Sequence, residues 1–546
     1  MRLYKFLILP LIGLILSVLA FVPLLSQEGA FYGYQSPLKI ADYAPEFGDQ
    51  TSKVLLIIVD GLRADTADST STWKEFGWAI GTLRTRPPSW SNPCFANIIT
   101  GTWQEFHSVT SNEFEEQIPI EHIFSFTSTS FVTAFSGDEG SRALIGQSAT
   151  YIFSTPSPES PEEEDQLILE KAKEFLKFSP SFLLVHFNQV DHYSHYAGTL
   201  SSRTAQALKD VDNLIMELIQ NVDLSQYTVI ITSDHGHLDR GGHGGGEEVV
   251  LNTPLLMFGA NVKKGVEVSG SQIDIIPTVC ALTGAPVPRY SLGMPLWDAL
   301  NVPIEFKAKF SLRILMQRGR FADAYSRMLG TNYSPIDLAS MEQTTDPEKL
   351  FSSAENAREA LDGQIQEWRS QKILEERTSR LWAPILASAL ILMLIIFAFK
   401  GRWAFTLLNA IVALIVFLLI FTQILGLSFS FSYLYAGSFL EFFLIFGVPL
   451  LISEILLSLL LPLQLKKAKR QELVKFQQQF LFLASLLLLL LFSFVYYSNG
   501  LSSPWHLPDF TLGFMGLALL LMIIWNGLFL VFLPPAFWGL WRLIKR

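Results

Sequence analysis

Apolar residues in this chain follow two patterns, and the first consists of long uninterrupted runs. Residues 6–25 form one such run behind Arg2 and Lys5, and five more occupy the last third of the chain. The five later runs cover residues 381–399, 403–425, 439–461, 480–497 and 510–533. Each is about as long as a bilayer core requires of a helix. The pattern predicts six transmembrane spans, with an anchor at residues 1–28 and a five-span region at 381–546.

The first run is predicted to be a retained anchor, because no small-residue cleavage site follows it. Basic residues occur in every second link between the spans, at Lys400 and Arg402, five times between 466 and 475, and three times after 541. Links 426–438 and 498–509 contain no Lys or Arg. Since basic links stay in the cytoplasm, both termini are expected inside and residues 26–380 outside, in the periplasm, a lumen or the cell exterior.

The second pattern is a series of short apolar runs rich in β-branched residues. These runs lie at 54–59 (VLLIIV), 182–185, 229–232 and 255–258, and helical patterns at 163–178 and 204–221 lie between them. Continuous apolar strands alternating with helices are typical of an α/β domain around a largely parallel sheet. We expect that domain over 50–301. A polar, helical connector is predicted over 302–380, with helices at 306–329 and 346–380.

The amino-acid composition limits the classes of function that the chain can have. Charged residues make up only 16% of the chain, below the roughly 25% of a soluble domain. The formal charge of −10 offers no basic surface, so nucleic acid is not expected as a partner. Cys94 and Cys280 are too few for a disulfide framework and are predicted to be unpaired packing residues.

Carboxylates and imidazoles follow three of the predicted strands, at the edge of a parallel sheet where ligands collect. The residues are Asp60, then Asp191 and His195, then Asp234 and His235, with His243 in a glycine-rich loop. Three Asp and three His suffice for two divalent cations with mixed nitrogen and oxygen ligands, which favours Zn²⁺ and allows Mn²⁺. Each motif alone is weak evidence for a metal site, because an Asp at the end of a strand often only caps a helix. The complete set of motifs, in this order along the chain, is specific evidence for such a site.

Other polar residues have more ordinary interpretations. His186 is interpreted as a strand residue, His192 as extra to the set, and His237 as at most a neighbour of a ligand. Glu454 lies inside a predicted span, where a carboxylate is either functional or a protonated or helix-paired group. Asn409 and Asn526 are predicted to hydrogen-bond between helices.

These motifs resemble the alkaline phosphatase superfamily, in the branch of type I phosphodiesterases and nucleotide pyrophosphatases that includes the GPI ethanolamine phosphate transferases. The resemblance covers residues 51–297. It implies that the metal ligands are the six residues above, in two sets: Asp60, Asp234 and His235 with Ser91, and Asp191, His195 and His243. It also implies that Ser91 in SNPCFANIITG is the nucleophile and that Asn112 in HSVTSN helps to hold phosphoryl oxygens.

A helix-capping role for Ser91 is the competing interpretation. Sulfatases share part of this pattern, but the Arg that their Ser/Cys-x-Pro-x-Arg motif requires is Phe95 here. Ser91 is therefore expected to remain a serine.

The expected function is hydrolysis of a phosphoric ester, of phosphodiester type, through a covalent phosphoserine. One alternative is transfer of a phosphoethanolamine-type head group to a lipid or glycolipid acceptor, which a membrane-resident substrate would favour. An alternative of another class is a non-catalytic scaffold or transporter with a degenerate enzyme domain.

Overall fold

The computed structural model of the chain describes residues 4–39, 46–155, 158–338, 341, 343–398, 403–434, 439–464 and 470–544. These residues form two compact units. The sheet unit comprises Tyr34–Lys372 with Pro504–His506, and the membrane unit comprises Met1–Gly33, Ile373–Ser503 and Leu507–Arg546.

The sheet unit is built on one eight-stranded sheet. In chain order the strands are β1 (Lys53–Val59), β2 (Ala79–Arg84), β3 (Thr133–Gly137), β4 (Tyr151–Ser154), β5 (Phe182–Phe187), β6 (Tyr227–Thr232), β7 (Asn252–Gly259) and β8 (Val266–Ser271). They are arranged in the order β4-β3-β5-β1-β6-β7-β2-β8. Only β7 runs antiparallel to its neighbours, β6 and β2. The predicted α/β class with a largely parallel sheet is confirmed.

The four apolar runs predicted to be strands correspond to β1, β5, β6 and β7. Their side chains are almost all buried, because helices cover both faces of the centre of the sheet. Of the four unpredicted strands, β2, β4 and β8 are partly exposed, and the buried strand β3 (TAFSG) contains Thr, Ser and Gly. Their composition is therefore too mixed to distinguish from that of loops.

Helices α2 to α13 follow or separate the strands. Their bounds are Ala64–Ala67, Ser71–Phe76, Ser91–Thr100, Gln104–His107, Glu139–Ile145, Pro161–Leu176, Gln189–Ala197, Ser202–Ile219, Glu248–Leu251, Ile275–Thr283, Ile304–Leu329 and Pro347–Arg380. The long helices predicted at 163–178, 204–221, 306–329 and 346–380 correspond to α7, α9, α12 and α13. Single 3₁₀ turns lie at Ile123–Phe126 and Gln272–Asp274.

One hydrophobic core holds α7 and α9 against the central strands. Ile168 and Leu169 of α7 and Val211 and Ile215 of α9 are buried with Leu55 of β1. Burial of this kind is the main favourable term in folding. It fixes β5, β1 and β6 side by side, in the register that pairs Val59 with Phe187 and Ile58 with Thr232, so the three strands end at the same level.

The membrane unit contains α1 (Tyr4–Tyr32) and α14 to α18, which are Trp382–Ala398, Trp403–Leu419, Phe439–Gln464, Arg470–Asn499 and Phe510–Ile544. A π-helical turn at Ile420–Ile424 extends α15, and a 3₁₀ turn lies at Phe431–Tyr433. Five helices among the described residues are long and apolar enough to cross a bilayer: Ile8–Tyr32, Ala404–Ile424, Leu440–Leu461, Gln471–Asn499 and Phe510–Ala536. The sixth predicted span, 381–399, coincides with α14, of which 17 residues are described.

The polar residues of these helices differ in their contacts. Asn526 donates to the Leu481 carbonyl of the neighbouring helix, whereas the Asn409 amide donates to Phe405 within its own helix. Glu454 is fully buried, and within the described part of the chain neither of its carboxylate oxygens has a hydrogen-bond partner. The basic residues Lys400, Arg402, Lys466, Lys467, Lys469, Lys545 and Arg546, on which the predicted topology depends, lie outside the described residues.

Candidate metal centre

Three carboxylates meet where β1, β5 and β6 end. Asp60 directly follows β1, Asp191 lies in the first turn of α8 after β5, and Asp234 follows β6. Asp60 and Asp234 are buried, and no described residue forms a hydrogen bond with Oδ1 of Asp60 or Oδ2 of Asp234. The other oxygen of Asp234 accepts from the backbone N–H groups of Gly61 and His235. Such orphaned oxygens in the interior are the groups that a bound cation would satisfy.

A fourth carboxylate, Asp165 of α7, positions the helix that carries Asp191 and His195. It accepts the backbone N–H groups of Asn188 and Gln189 at the start of α8, which have no partner within the helix. His195 lies one turn after Asp191, with 3.6 Å between its Nε2 and Asp191 Oδ1. The sequence pointed to the Asp191 and His195 spacing but not to Asp165, which is 26 positions earlier.

Backbone carbonyls orient two of the imidazoles. His243 Nδ1 lies 2.9 Å from the Ser89 carbonyl, and His235 Nδ1 lies 3.2 Å from the Gly236 carbonyl. Because a carbonyl only accepts, Nδ1 carries the proton in both rings and Nε2 presents its lone pair. This arrangement, a ring fixed through one nitrogen, is typical of metal-binding histidines.

The Nε2 atoms converge on the carboxylates. His235 Nε2 is 3.3 Å from Asp60 Oδ1 and 3.4 Å from Asp234 Oδ2. His243 Nε2 is 2.9 Å from His195 Nε2. All six residues predicted as ligands therefore lie together.

Within the part of the chain that the structure describes, ligand atoms within 4.8 Å of one another form two groups. These are Asp60, His186 and Asp234, and Asp191, His235, His237 and His243. The groups include His186 and His237, which the sequence alone did not assign to the centre.

His186 lies in β5, as predicted, and its ring bridges Asp60 and a carboxylate from another part of the chain. Its Nδ1 is 3.0 Å from Asp138 Oδ2 and 2.9 Å from Ser141 Oγ, and its Nε2 is 3.6 Å from Asp60 Oδ2. Burial disfavours the charged ring, but Asp138 outweighs it and raises the pKa of His186. Phe95 stacks on the His186 ring at 5.6 Å between centroids, so the position that would be Arg in a sulfatase has a packing role.

Ser91 is the first residue of α4. Its Oγ lies 3.2 Å from His235 Nε2. The helix cap is Trp90, which makes no side-chain bond to the helix, so Ser91 does not have the capping role that was the competing interpretation. A serine at a helix N-terminus lies where backbone N–H groups favour a bound phosphate.

Asn112 lies beside the same helix end. Its Oδ1 accepts the backbone N–H of Asn92 at 3.0 Å, and its backbone carbonyl accepts from the Asn92 side chain. Because the oxygen end of the amide is thus engaged, Nδ2 is the end that is oriented to donate.

Glycines let the loop that carries His243 pass close to α4. Gly244 has a φ of +105°, and a Cβ on it would stand 2.3 Å from the Trp90 indole nitrogen. Another residue at this position would displace Trp90, which precedes Ser91. The glycine at this position thus permits the close approach of the loop to α4.

The charges of the centre favour cations. Burial, together with the neighbouring Asp234 and Asp191, raises the pKa of Asp60 well above its ordinary value, and burial raises the pKa of Asp234 to about 6. Burial also lowers the pKa of His235 to about 3 and that of His243 well below its ordinary value. Neutral imidazoles are the form that binds metals, and a divalent cation removes the repulsion between the carboxylates. The donor set therefore fits divalent metal ions.

Residues 157–241 match the family model for type I phosphodiesterase / nucleotide pyrophosphatase. The matched stretch contains Asp191, His195, Asp234 and His235 of the centre. The match confirms the predicted resemblance to the phosphodiesterase branch of the alkaline phosphatase superfamily, a class of metal-dependent phosphodiesterases and phosphotransferases.

Among curated proteins the chain is similar to GPI ethanolamine phosphate transferases. It is 23% identical over 323 residues to transferase 1 of Homo sapiens, covering 47% of this chain and 34% of the human protein. It is 23% identical over 329 residues to transferase 2 of Candida albicans, covering 54% of this chain and 37% of that protein. The chain thus spans well under half the length of these relatives. The similarity and the five apolar helices support an integral membrane protein.

Among solved structures, murine ectonucleotide pyrophosphatase/phosphodiesterase 5 aligns with 43% of this chain and 96% of its own, at 12% identity and a TM-score of 0.36. A putative sulfatase from Bacteroides thetaiotaomicron aligns with 46% of this chain and 75% of its own, at 15% identity and a TM-score of 0.40.

We expect the purified full-length protein to hold two divalent ions, and Asp234→Asn to hold about one, because the substitution removes a buried ligand from one group only. Metal analysis after desalting measures this directly. Asp298→Asn, at an exposed carboxylate far along the chain, is the matched control and should retain both ions. Two ions retained by folded Asp234→Asn would remove Asp234 from the centre.

Proposed function

We propose that the chain is a membrane-anchored phosphoric-ester hydrolase of phosphodiesterase type, with Ser91 as its nucleophile. The observation that carries the proposal is the contact of the Ser91 hydroxyl with His235 at the edge of the carboxylate cluster. A serine hydroxyl is a weak nucleophile unless a base or a metal takes its proton. The full ligand set, with each member close to another, supports an enzyme over a non-catalytic scaffold or transporter.

The two ions are proposed to be Zn²⁺, with Mn²⁺ as the alternative, because half of the predicted ligand set is imidazole. We assign Asp60, Asp234 and His235 with Ser91 to one ion, and Asp191, His195 and His243 to the other. Bound there, the ions would lower the pKa of the serine hydroxyl and neutralise the charge that develops on the phosphoryl oxygens.

Ser91 Oγ forms a bond to phosphorus while the bond from phosphorus to the leaving oxygen breaks. The hydroxyl of Ser91 loses its proton as this bond forms, the leaving oxygen takes up a proton, and the phosphoryl group stays on Ser91 as a phosphoserine. Nδ2 of Asn112 donates to a phosphoryl oxygen, where charge is largest in the transition state. Water then attacks the phosphoserine, releases the product and returns the proton to Ser91.

The sheet unit is proposed to lie outside the cytoplasm, with both termini inside. The distribution of basic residues in the sequence supports this orientation, since links with Lys and Arg alternate with links without them.

Ser91→Ala should lower phosphodiesterase turnover by at least about a thousand-fold while leaving two ions bound, because it removes the nucleophile but no carboxylate or imidazole. The assay is release of p-nitrophenol from bis-p-nitrophenyl phosphate by detergent-purified protein with Zn²⁺ or Mn²⁺. The rate on p-nitrophenyl phosphate in the same preparation distinguishes diesterase from monoesterase.

Ser69→Ala, at an exposed serine of the same unit, is the control and should keep the wild-type rate. Full activity in Ser91→Ala, with the metals in place, would contradict the nucleophilic role.

A second candidate function is transfer of a phosphoethanolamine-type head group from a lipid to a lipid or glycolipid acceptor. It is favoured by the curated relatives, which are named as GPI ethanolamine phosphate transferases, and by the membrane unit. The chemistry is the same up to the phosphoserine, which an acceptor hydroxyl rather than water then attacks.

If the chain is a transferase, protein in vesicles with head-group-labelled phosphatidylethanolamine should move the label to a lipid-soluble acceptor in a membrane extract. If it is a hydrolase, the label appears as water-soluble phosphoethanolamine. Ser91→Ala should abolish both products. If metal-loaded wild-type protein forms neither labelled product, phosphatidylethanolamine is not the donor.

The orientation can be tested by labelling single cysteines in intact cells, in a background without Cys94 and Cys280, which are buried and unpaired. A cysteine placed at Lys177, after α7, should react with a membrane-impermeant maleimide, because the sheet unit is expected outside. A cysteine at Lys475 should react only after the membrane is permeabilised. The reverse pattern would invert the proposed topology.

A further inference from the structure

His237 is a buried imidazole of the metal centre that the motifs do not place among the ligands. It lies in the loop between β6 and α10, two residues after His235, and it is fully shielded from solvent. Its Nε2 is 2.6 Å from Oδ1 of Asp191, the shortest contact that Asp191 makes with an imidazole.

The second ring nitrogen of His237 shows which of the two partners donates in this contact. The backbone N–H of Gly242 donates to Nδ1 of His237 at 3.1 Å. Since Nδ1 accepts, the proton of the neutral ring is on Nε2, which therefore donates to Asp191. A nitrogen that carries a proton has no lone pair for a metal. His237 is thus close to His235 and His243 but differs from both, whose Nδ1 atoms carry the proton.

The loop around His237 keeps Gly242 in position. The Leu238 N–H donates to the Gly242 carbonyl and the Gly241 N–H donates to the Leu238 carbonyl. Arg63 donates to the His237 carbonyl at 3.4 Å. These bonds close residues 237–242 into a tight turn, directly before His243.

We infer that His237 is a positioning residue, which holds the Asp191 carboxylate through Nε2–H and ties it to the turn that precedes His243. One imidazole thereby connects two of the segments that supply ligands, α8 and the glycine-rich loop. The inference rests on the proposed function, since it concerns the ion assigned to Asp191, His195 and His243. Among the described residues His237 makes no contact with Asp60 or Asp234, and it meets His235 only ring to ring. We therefore expect its loss to weaken chiefly the ion assigned to Asp191, His195 and His243.

Two amide variants of His237 distinguish a role as hydrogen-bond donor to Asp191 from a role as metal ligand. His237→Gln keeps an N–H near the position of Nε2. In His237→Asn the shorter amide can place its oxygen near Nδ1 to accept from Gly242, but its N–H groups do not reach the position of Nε2. Partners of metal ligands typically change metal affinity about 10- to 100-fold. We expect His237→Asn to lose one of its two ions at chelator concentrations about 10- to 100-fold lower than the wild type does, and His237→Gln to stay near the wild type.

The measurement is metal content of full-length protein after equilibration with graded concentrations of a chelator, with circular dichroism as the test of folding. His192→Gln, at an exposed histidine of α8, is the matched control and should behave as the wild type. His237→Leu also lacks the donor and replaces His237→Asn if that variant does not fold.

Equal loss of the ion in His237→Gln and His237→Asn would overturn the inference, since it would show that a lone pair on Nε2 is required and that His237 is a ligand. Retention of both ions by folded His237→Asn at wild-type chelator concentrations would overturn it too. A wild-type protein that binds no divalent ion would instead refute the proposed function.

Discussion

The structure of the sheet unit depends on three carboxylates, Asp60, Asp191 and Asp234, held close together at the end of three parallel strands. Charges removed from water cost several kcal/mol each unless they are paired or bind metals. Among the described residues no Lys or Arg forms an ion pair with any of the three; their neighbours are imidazoles. Divalent cations are therefore the balancing charge that the arrangement fits.

Hydrogen bonds around the three carboxylates orient the side chains that carry the candidate ligand atoms. Backbone carbonyls at Ser89 and Gly236 fix the rings of His243 and His235, and Asp165 fixes the start of the helix that carries Asp191. Because backbone groups provide most of these bonds, the site is set by the path of the chain. Ser91, the first residue of α4, contacts His235. In the proposed reaction, such prior orientation would lower the cost of reaching the transition state.

The membrane helices bear on which substrate and acceptor the proposed reaction uses, which the candidate site alone does not define. Phosphoryl transfer by a metal-activated serine is compatible with water or an alcohol as the second nucleophile, so the centre by itself does not choose between hydrolysis and transfer. Anchoring in a bilayer raises the local concentration of lipid substrates. The centre therefore bears on the proposed class of reaction, and the membrane unit bears on the proposed substrate.

The sequence by itself determined the class of fold and most of the centre. Buried parallel strands read as continuous apolar runs, and polar residues just after such runs fall at one edge of the sheet; for this reason Asp60, Asp191 and Asp234 were predictable. The helices of the membrane unit were predictable from the length of their apolar runs. Tertiary structure decided what depends on distant partners. Strands β2 and β4 are half-exposed and form only against neighbours, and Asp138 lies 48 positions before the histidine that it contacts. His237 and His235 differ in tautomer because the N–H of Gly242 faces Nδ1 of His237, whereas the carbonyl of Gly236 faces Nδ1 of His235. A hydrogen bond fixes a tautomer, and the sequence does not show which group will face which ring nitrogen.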